Sequence, residues 1–257
     1  MNTVLRRREP HDWWNTVALG VVAVIAFLMI WLNACSSVSQ SAANSNKAVA
    51  TTSNTPTPLA SASPVNTTGE SVPTSLSDAG EYGENIYDYA KARDWKNAEA
   101  RLGTLKETIK NVRADVKSQG AAVARLDGNV AALDRAVSSK DRLATMREAN
   151  QMTLDVANMT TAYKLSVPVE VTRLDYYGRE LEVWAQAKDA NKLQATAREM
   201  RREWDGLRPS IEARSAKEAK KFDALVAQVE GARMPADYAR VATPVLDEVD
   251  NLEKLFS

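Results

Sequence analysis

The strongest constraint on this chain is that its second half repeats itself. At an offset of 95 residues the run EYGENIYDYAKARD, starting at Glu81, aligns with YYGRELEVWAQAKD, starting at Tyr176. Tyr82-Gly83 matches Tyr177-Gly178, Ala90 and Ala92 match Ala185 and Ala187, and Asp94 matches Asp189. Beyond it, Trp95, Ala98, Leu102, Leu105, Ile109, Val112 and Val116 recur three and four residues apart. Ala190, Leu193, Ala197, Met200, Trp204, Leu207 and Ile211 repeat that spacing. With one inserted residue the match resumes, Asp127 with Asp223, Val130-Ala131 with Val226-Ala227 and Asp141 with Asp237. Apolar residues at this spacing form a stripe along one face of a helix, and no alternating strand pattern of any length occurs. The region is read as all-α: an antiparallel bundle of six to eight helices, built from two repeats of roughly 95 residues, at about 81–168 and 169–257.

Each repeat is expected to open with a short helix, at 82–92 and 171–187. Asp94 and Asp189 then stand where an N-cap belongs, accepting from the free N–H groups of the next helix. The heptad of the first repeat continues through Val123, Leu126, Val130, Leu133 and Val137, which suggests one helix of about 43 residues, or roughly 65 Å. Gly120 and Gly128 weaken it. In the second repeat Pro209 is expected to kink or break the corresponding helix, and Pro244 to interrupt the last one. Final helices are read at 141–164 and 236–256.

Ahead of the bundle the chain has a different character. Arg6, Arg7 and Arg8 precede an apolar run at 17–32 that ends at Leu32-Asn33-Ala34-Cys35, and Cys35 is the only cysteine in the protein. At 16 residues the run lies between the ~7–15 of a signal-peptide core and the ~20 of a spanning helix. The arginines put the N-terminus on the cytoplasmic side and everything after Cys35 outside. Leu32, Asn33 and Ala34 before Cys35 resemble a bacterial lipobox: a branched apolar residue at −3, a small one at −1, then the thiol. Asn33 departs from the usual small or apolar residue at −2. The resemblance implies lipidation of Cys35 and cleavage before it. The alternative is an uncleaved anchor over 1–35 with Trp13, Trp14 and Trp31 at the interfaces. The flanks of the arginines do not fit a twin-arginine signal. Residues 36–80, rich in Ser, Thr, Ala, Asn and Pro, have no aromatic residue before the bundle and one charge, Lys47, before Glu70. Such a stretch buries too little apolar surface to offset its ordering entropy and is read as a disordered tether.

Composition excludes much chemistry. The one histidine, His11, lies in the N-terminal segment, so the helical region has neither histidine nor cysteine. That removes haem ligation, the Glu-x-x-His di-iron site, zinc sites and Ser-His or Cys-His catalysis. No cofactor or metal is implied. Lysine and arginine total 33, as do aspartate and glutamate, which argues against a nucleic-acid partner. The acidic run Asp247, Glu248, Asp250 and Glu253 reads as a solvated helix face. A polar site is conceivable where Arg173 and Arg179 surround Tyr176-Tyr177, with Trp204 as a further candidate for a binding surface, although ion pairs and a core role for Trp204 explain these residues more simply.

These readings converge on a bacterial envelope lipoprotein, or singly anchored membrane protein. Its helical bundle would be extracytoplasmic, periplasmic or at the cell exterior, and would act as an interaction or scaffold module with a protein partner rather than as an enzyme. A small-molecule sensor is the alternative, and a cell-wall enzyme using one carboxylate a weaker one. If Cys35 carries lipid, Cys35→Ala should leave an uncut precursor. Intact mass that shows Met1 retained and an unmodified thiol in the parent protein would decide for the uncleaved anchor.

Overall fold

The computed structural model describes residues 69–256, so the anchor, Cys35 with Leu32, Asn33 and Ala34, and most of the proposed tether lie outside the described residues. Among the described residues there are eight α-helices: α1 (Thr74–Ala92), α2 (Trp95–Asp115), α3 (Gly120–Ser138), α4 (Arg142–Thr160), α5 (Val169–Ala187), α6 (Ala190–Arg214), α7 (Ala216–Gly231) and α8 (Pro235–Glu253). The all-α bundle is therefore the fold. It consists of two successive four-helix bundles, α1–α4 and α5–α8, each with its own apolar core.

The duplication is visible in three-dimensional detail. Helices α1 and α5 begin and end at the same offset of 95, as do the starts of α2 and α6. Asp94 and Asp189 cap the helices that follow, accepting from Asn97 N and Lys192 N. Each is preceded by a basic residue in the left-handed region, Arg93 at φ 61° and Lys188 at φ 56°. That conformation lets the Asp94 and Asp189 N–H groups reach back to Tyr89 O and Trp184 O, closing the end of the first helix. Lys140-Asp141 forms the same turn before α4, with Lys140 at φ 53° and Ala144 N bonded to Asp141. The ion pairs across the second hairpin are duplicated too. Lys106–Asp134 and Arg113–Asp127 join α2 to α3, and their repeat equivalents, Arg201–Glu230 and Arg208–Asp223, join α6 to α7.

Those pairs correct the expectation of a 43-residue helix. They can form only if α2 and α3 run antiparallel, reversing at a single 3₁₀ turn, Lys117–Gln119. Val116 anchors the reversal in the core, and the Gln119 side chain donates to Met159 O at 3.2 Å. A hairpin with both stripes turned inward has the same apolar positions as one continuous stripe, so spacing cannot reveal the reversal. The second repeat breaks at Ser215, whose hydroxyl caps α7 by accepting from Glu218 N, and not at Pro209. Pro209 and Pro244 lie within α6 and α8 on exposed faces, where the carbonyls they free, of Asp205 and Arg240, meet water. The folded region also starts earlier than residue 81. Leu76 and Ala79 are fully buried in α1, and Lys164 N bonds Glu70 O, so the tether can extend no further than about residue 69. Finally, α7 is three residues shorter than α3, which resets the offset to 93 for the last helices. Asp141 is an N-cap, whereas Asp237 sits at the third helical position of α8 and bonds back to Met234 N.

The shared Tyr-Gly has a steric reason. A Cβ on Gly83 would lie 2.4 Å from Met152 Cε and 3.4 Å from Ala149 O of α4. One on Gly178 would lie 2.6 Å from Leu246 Cδ2 of α8. Both glycines let the first helix of a bundle approach its last. The two last helices differ in surroundings. Helix α4 buries Met146, Asn150 and Ala157, with Asn150 bonded to α5, whereas the equivalent α8 residues Ala239, Thr243 and Asp250 are exposed.

Overpacking a core costs about 1–3 kcal/mol. Gly83→Val and Gly178→Val are each expected to destabilise by about that much, whereas Gly103→Ala, at an exposed site in α2 with open space around it, should stabilise by up to about 1 kcal/mol. Thermal unfolding of the three variants checks the contrast.

Candidate functional site

Polar groups are buried most densely where the two bundles meet. Helix α5 lies beside α4, antiparallel to it, and runs parallel to α1. Its buried set exceeds that of α1 by Glu180 and Val183, which face the first bundle together with Glu182. Val183 completes the first core, and Trp184 packs on both.

On the α1 side the centre is Arg179, whose side chain is 12 % exposed. Its Nε is 2.8 Å from Asp175, its Nη2 is 3.4 Å from Glu84, and the guanidinium lies 5.1 Å from the ring centre of Tyr87. Nη1 is buried without a partner. The Tyr87 hydroxyl donates to Glu182 at 2.8 Å, and Lys91 Nζ reaches both oxygens of the same carboxylate, at 2.7 and 2.8 Å. Tyr87 and Glu182 are equivalent positions in the two repeats. The copies thus touch each other at matching residues that have diverged into donor and acceptor.

Burial dominates the protonation equilibria. It raises the Glu84 carboxyl, whose side chain is still 40 % exposed, against the opposing pull of Arg179. Burial likewise raises Asp175 and Glu253. It raises the Tyr87 hydroxyl far above its ordinary value, with the Glu182 charge adding to it, so Tyr87 stays a neutral donor. On the α4 side, the fully buried Asn150 donates to Tyr176 O at 3.1 Å and to Glu180 at 3.3 Å, leaving its own oxygen unpaired. Glu180 also accepts from Trp184 Nε1, and its burial raises its pKa despite both bonds.

The five residues read from the sequence as a possible surface are thus dispersed. Arg179 is inside the seam. Tyr176 is half-buried, its hydroxyl 3.5 Å from Gln151 of α4 and its ring edge-on to Tyr177 at 5.2 Å. Tyr177 packs on the second core, and Arg173 links Asn158 to Glu203. Trp204 is not on any surface. It has no exposed area, stacks against Phe222 at 4.6 Å and donates to Asp223 at 2.8 Å, because the α6 stripe turns it into the core. Sequence reasoning missed Tyr87, Lys91, Glu182 and Asn150. The available signal was Tyr87 against Glu182, an aromatic residue opposite a charged one inside the aligned run.

Open recesses occur elsewhere among the described residues. One of 540 Å³, lined by Ser71, Ser77, Thr160, Lys164 and Val167, lies beside the link between the bundles. Others of 350 and 210 Å³ flank the α7–α8 turn, where Asp237 bonds backbone N–H groups and Glu230 pairs with Arg201. Among the described residues no group of three or more carboxyl, imidazole or thiol side chains is arranged to hold a metal. No protein-family model matches the chain, and neither a characterised protein nor a solved structure is significantly similar to it.

Removing the Trp204 side chain leaves a large cavity and takes one donor from the Asp223 carboxylate, which keeps Arg208. Trp204→Ala is expected to cost about 3–5 kcal/mol, measured by denaturant unfolding.

Proposed function

We propose that this protein is a membrane-tethered interaction or scaffold module of the bacterial envelope, held by its N-terminal segment and presenting the tandem bundle outside the cytoplasm. The observation that carries this reading is the filled interior of both bundles. Their large side chains, Trp204, Phe222, Leu105, Ile109, Leu126 and Met146 among them, pack against one another, and the acidic groups at the recesses are engaged in ion pairs or caps. Such a body offers its outer faces, not a reactive cleft, to other molecules. The apolar run ending at Cys35 supports the tether, through its arginine flank and its lipobox-like end.

A ligand-binding role is a second reading, favoured by the 540 Å³ recess, whose volume falls within the ~300–1,000 Å³ of small-molecule sites. In-cell crosslinking from photoreactive residues on the exposed faces of α2 and α6 discriminates between them. The scaffold reading expects one discrete adduct, captured reciprocally from the partner and dependent on the N-terminal segment. The absence of any adduct from either face, with the protein recovered from the cytosolic fraction, would sink it.

A further inference from the structure

The turn between α7 and α8 departs from its counterpart in the first repeat. At the offset of 93 that relates the last helices, Met234 stands where Asp141 stands. Asp141 is an N-cap of the usual kind, its carboxylate bonded to Ala144 N at 3.0 Å. Met234 holds the N-cap of α8 with a thioether in place of a carboxylate, and it is 63 % exposed. The capping passes to Asp237, whose carboxylate accepts from Met234 N at 3.1 Å and from Arg233 N at 3.3 Å. Arg233 adds a further tie, its Nη1 donating to Glu230 O at 2.9 Å and to Ala232 O at 3.1 Å. Met234 is thus presented by a fastened turn. Its backbone is already ordered, so that part of the entropy cost of binding is not incurred again.

The surroundings of Met234 are basic. The turn that carries it separates the recesses of 350 and 210 Å³. Arg198 and Arg233 line the smaller one and Arg240 the larger. Arg198 is exposed and makes no ion pair or hydrogen bond among the described residues. The Arg240 side chain is 76 % exposed beyond its 3.3 Å contact with Asp237. The two carboxylates at the recesses are already engaged, Glu230 by Arg201 and Asp237 by the backbone of the turn. The first repeat lacks this charge on α2. At the offset of 95, Gly103 stands opposite Arg198 and Glu99 opposite Gln194, so the second copy has a cation more and a carboxylate fewer.

We propose that the α7–α8 turn is a docking surface for an acidic segment of a protein partner: Met234 meets an apolar side chain of that segment, and Arg198, Arg233 and Arg240 receive its carboxylates. This names a contact within the scaffold reading and rests on it. The residue types suit the task. An unbranched thioether adapts to the shape it meets, and a guanidinium fork matches a carboxylate in two parallel bonds. The placement suits it as well. Helix α8 runs antiparallel to α5, so its first turn lies at the opposite end of the bundle from residue 69, where the chain enters beside the start of α5.

Site-specific photocrosslinking of the full-length protein in cells tests the assignment. A photoreactive residue at Gln228, exposed in the Arg240 recess, is expected to give one discrete adduct. Mass spectrometry of the crosslinked peptide is expected to read a segment of another protein rich in aspartate and glutamate, with an apolar residue among them. Arg198→Glu together with Arg240→Glu should reduce the adduct by at least about tenfold, because like charges across an interface oppose docking. Met234→Ser should reduce it too, with thermal unfolding at or above that of the parent, since serine followed three residues later by Asp237 makes a capping box. If Met234→Ser unfolds earlier than the parent, the arginine pair decides. Undiminished capture by the arginine variant would overturn the proposal, as would an adduct to lipid, to nucleic acid, to a second copy of this chain or to a peptide without acid. No adduct from Gln228 would overturn it as well, and adducts from α2 or α6 in the same cells would then leave the scaffold reading standing.

Discussion

The contact on which each bundle depends is the one its connectivity does not enforce. Within each bundle successive helices are brought together by turns of one to four residues, but the first and last helices must find each other across the chain. Gly83 and Gly178 allow this by removing the one atom that would hold the backbones apart. Close approach then seals Ile86 and Leu181 beneath the last helix, and it sets the distance at which the stripes of α2, α3, α6 and α7 meet in the middle. The adjacent tyrosines lie at the margin: Tyr82 under the Arg101 guanidinium at 4.7 Å, Tyr177 against the second core.

Local chemistry was the part of this architecture most legible in the sequence. An aspartate before an apolar stripe is a cap wherever it occurs, and Asp94 and Asp189 prove to be caps. Trp204 lies on the stripe and is buried. What the sequence concealed is direction. A stripe with seven-residue spacing does not say whether the chain continues or doubles back, and the reversal at Val116 is decided by tertiary pairs such as Arg113–Asp127, 14 residues apart. The start of α1 at Thr74 was masked by hydroxyl-rich composition that reads as linker until Leu76 and Ala79 are seen packed. Pro209 and Pro244 do not end their helices, because a proline on the exposed side of a helix frees a carbonyl where water can satisfy it.

The seam was hidden for a different reason. Duplication is recognised by what two copies share, so attention falls on residues that match. Residues at which the copies contact each other are free to diverge, since each now serves a different partner. Tyr87 opposite Glu182, and Asn85 aligned with the buried Glu180, are divergences of this kind. In a fused duplicate, the mismatches within the repeat are a better guide to the contact between copies than the matches.

The unequal outer faces of α4 and α8 bear on how far such a stack extends. Ala239, Thr243 and Asp250 of α8, the counterparts of Met146, Asn150 and Ala157 on α4, are all exposed. On α4 the buried Asn150 amide donates across to α5, and its counterpart Thr243 has no such partner to receive among the described residues. The side chain that joins one copy to the next is therefore present once, at the junction, and the outer helix of the second copy carries a solvated face in its place.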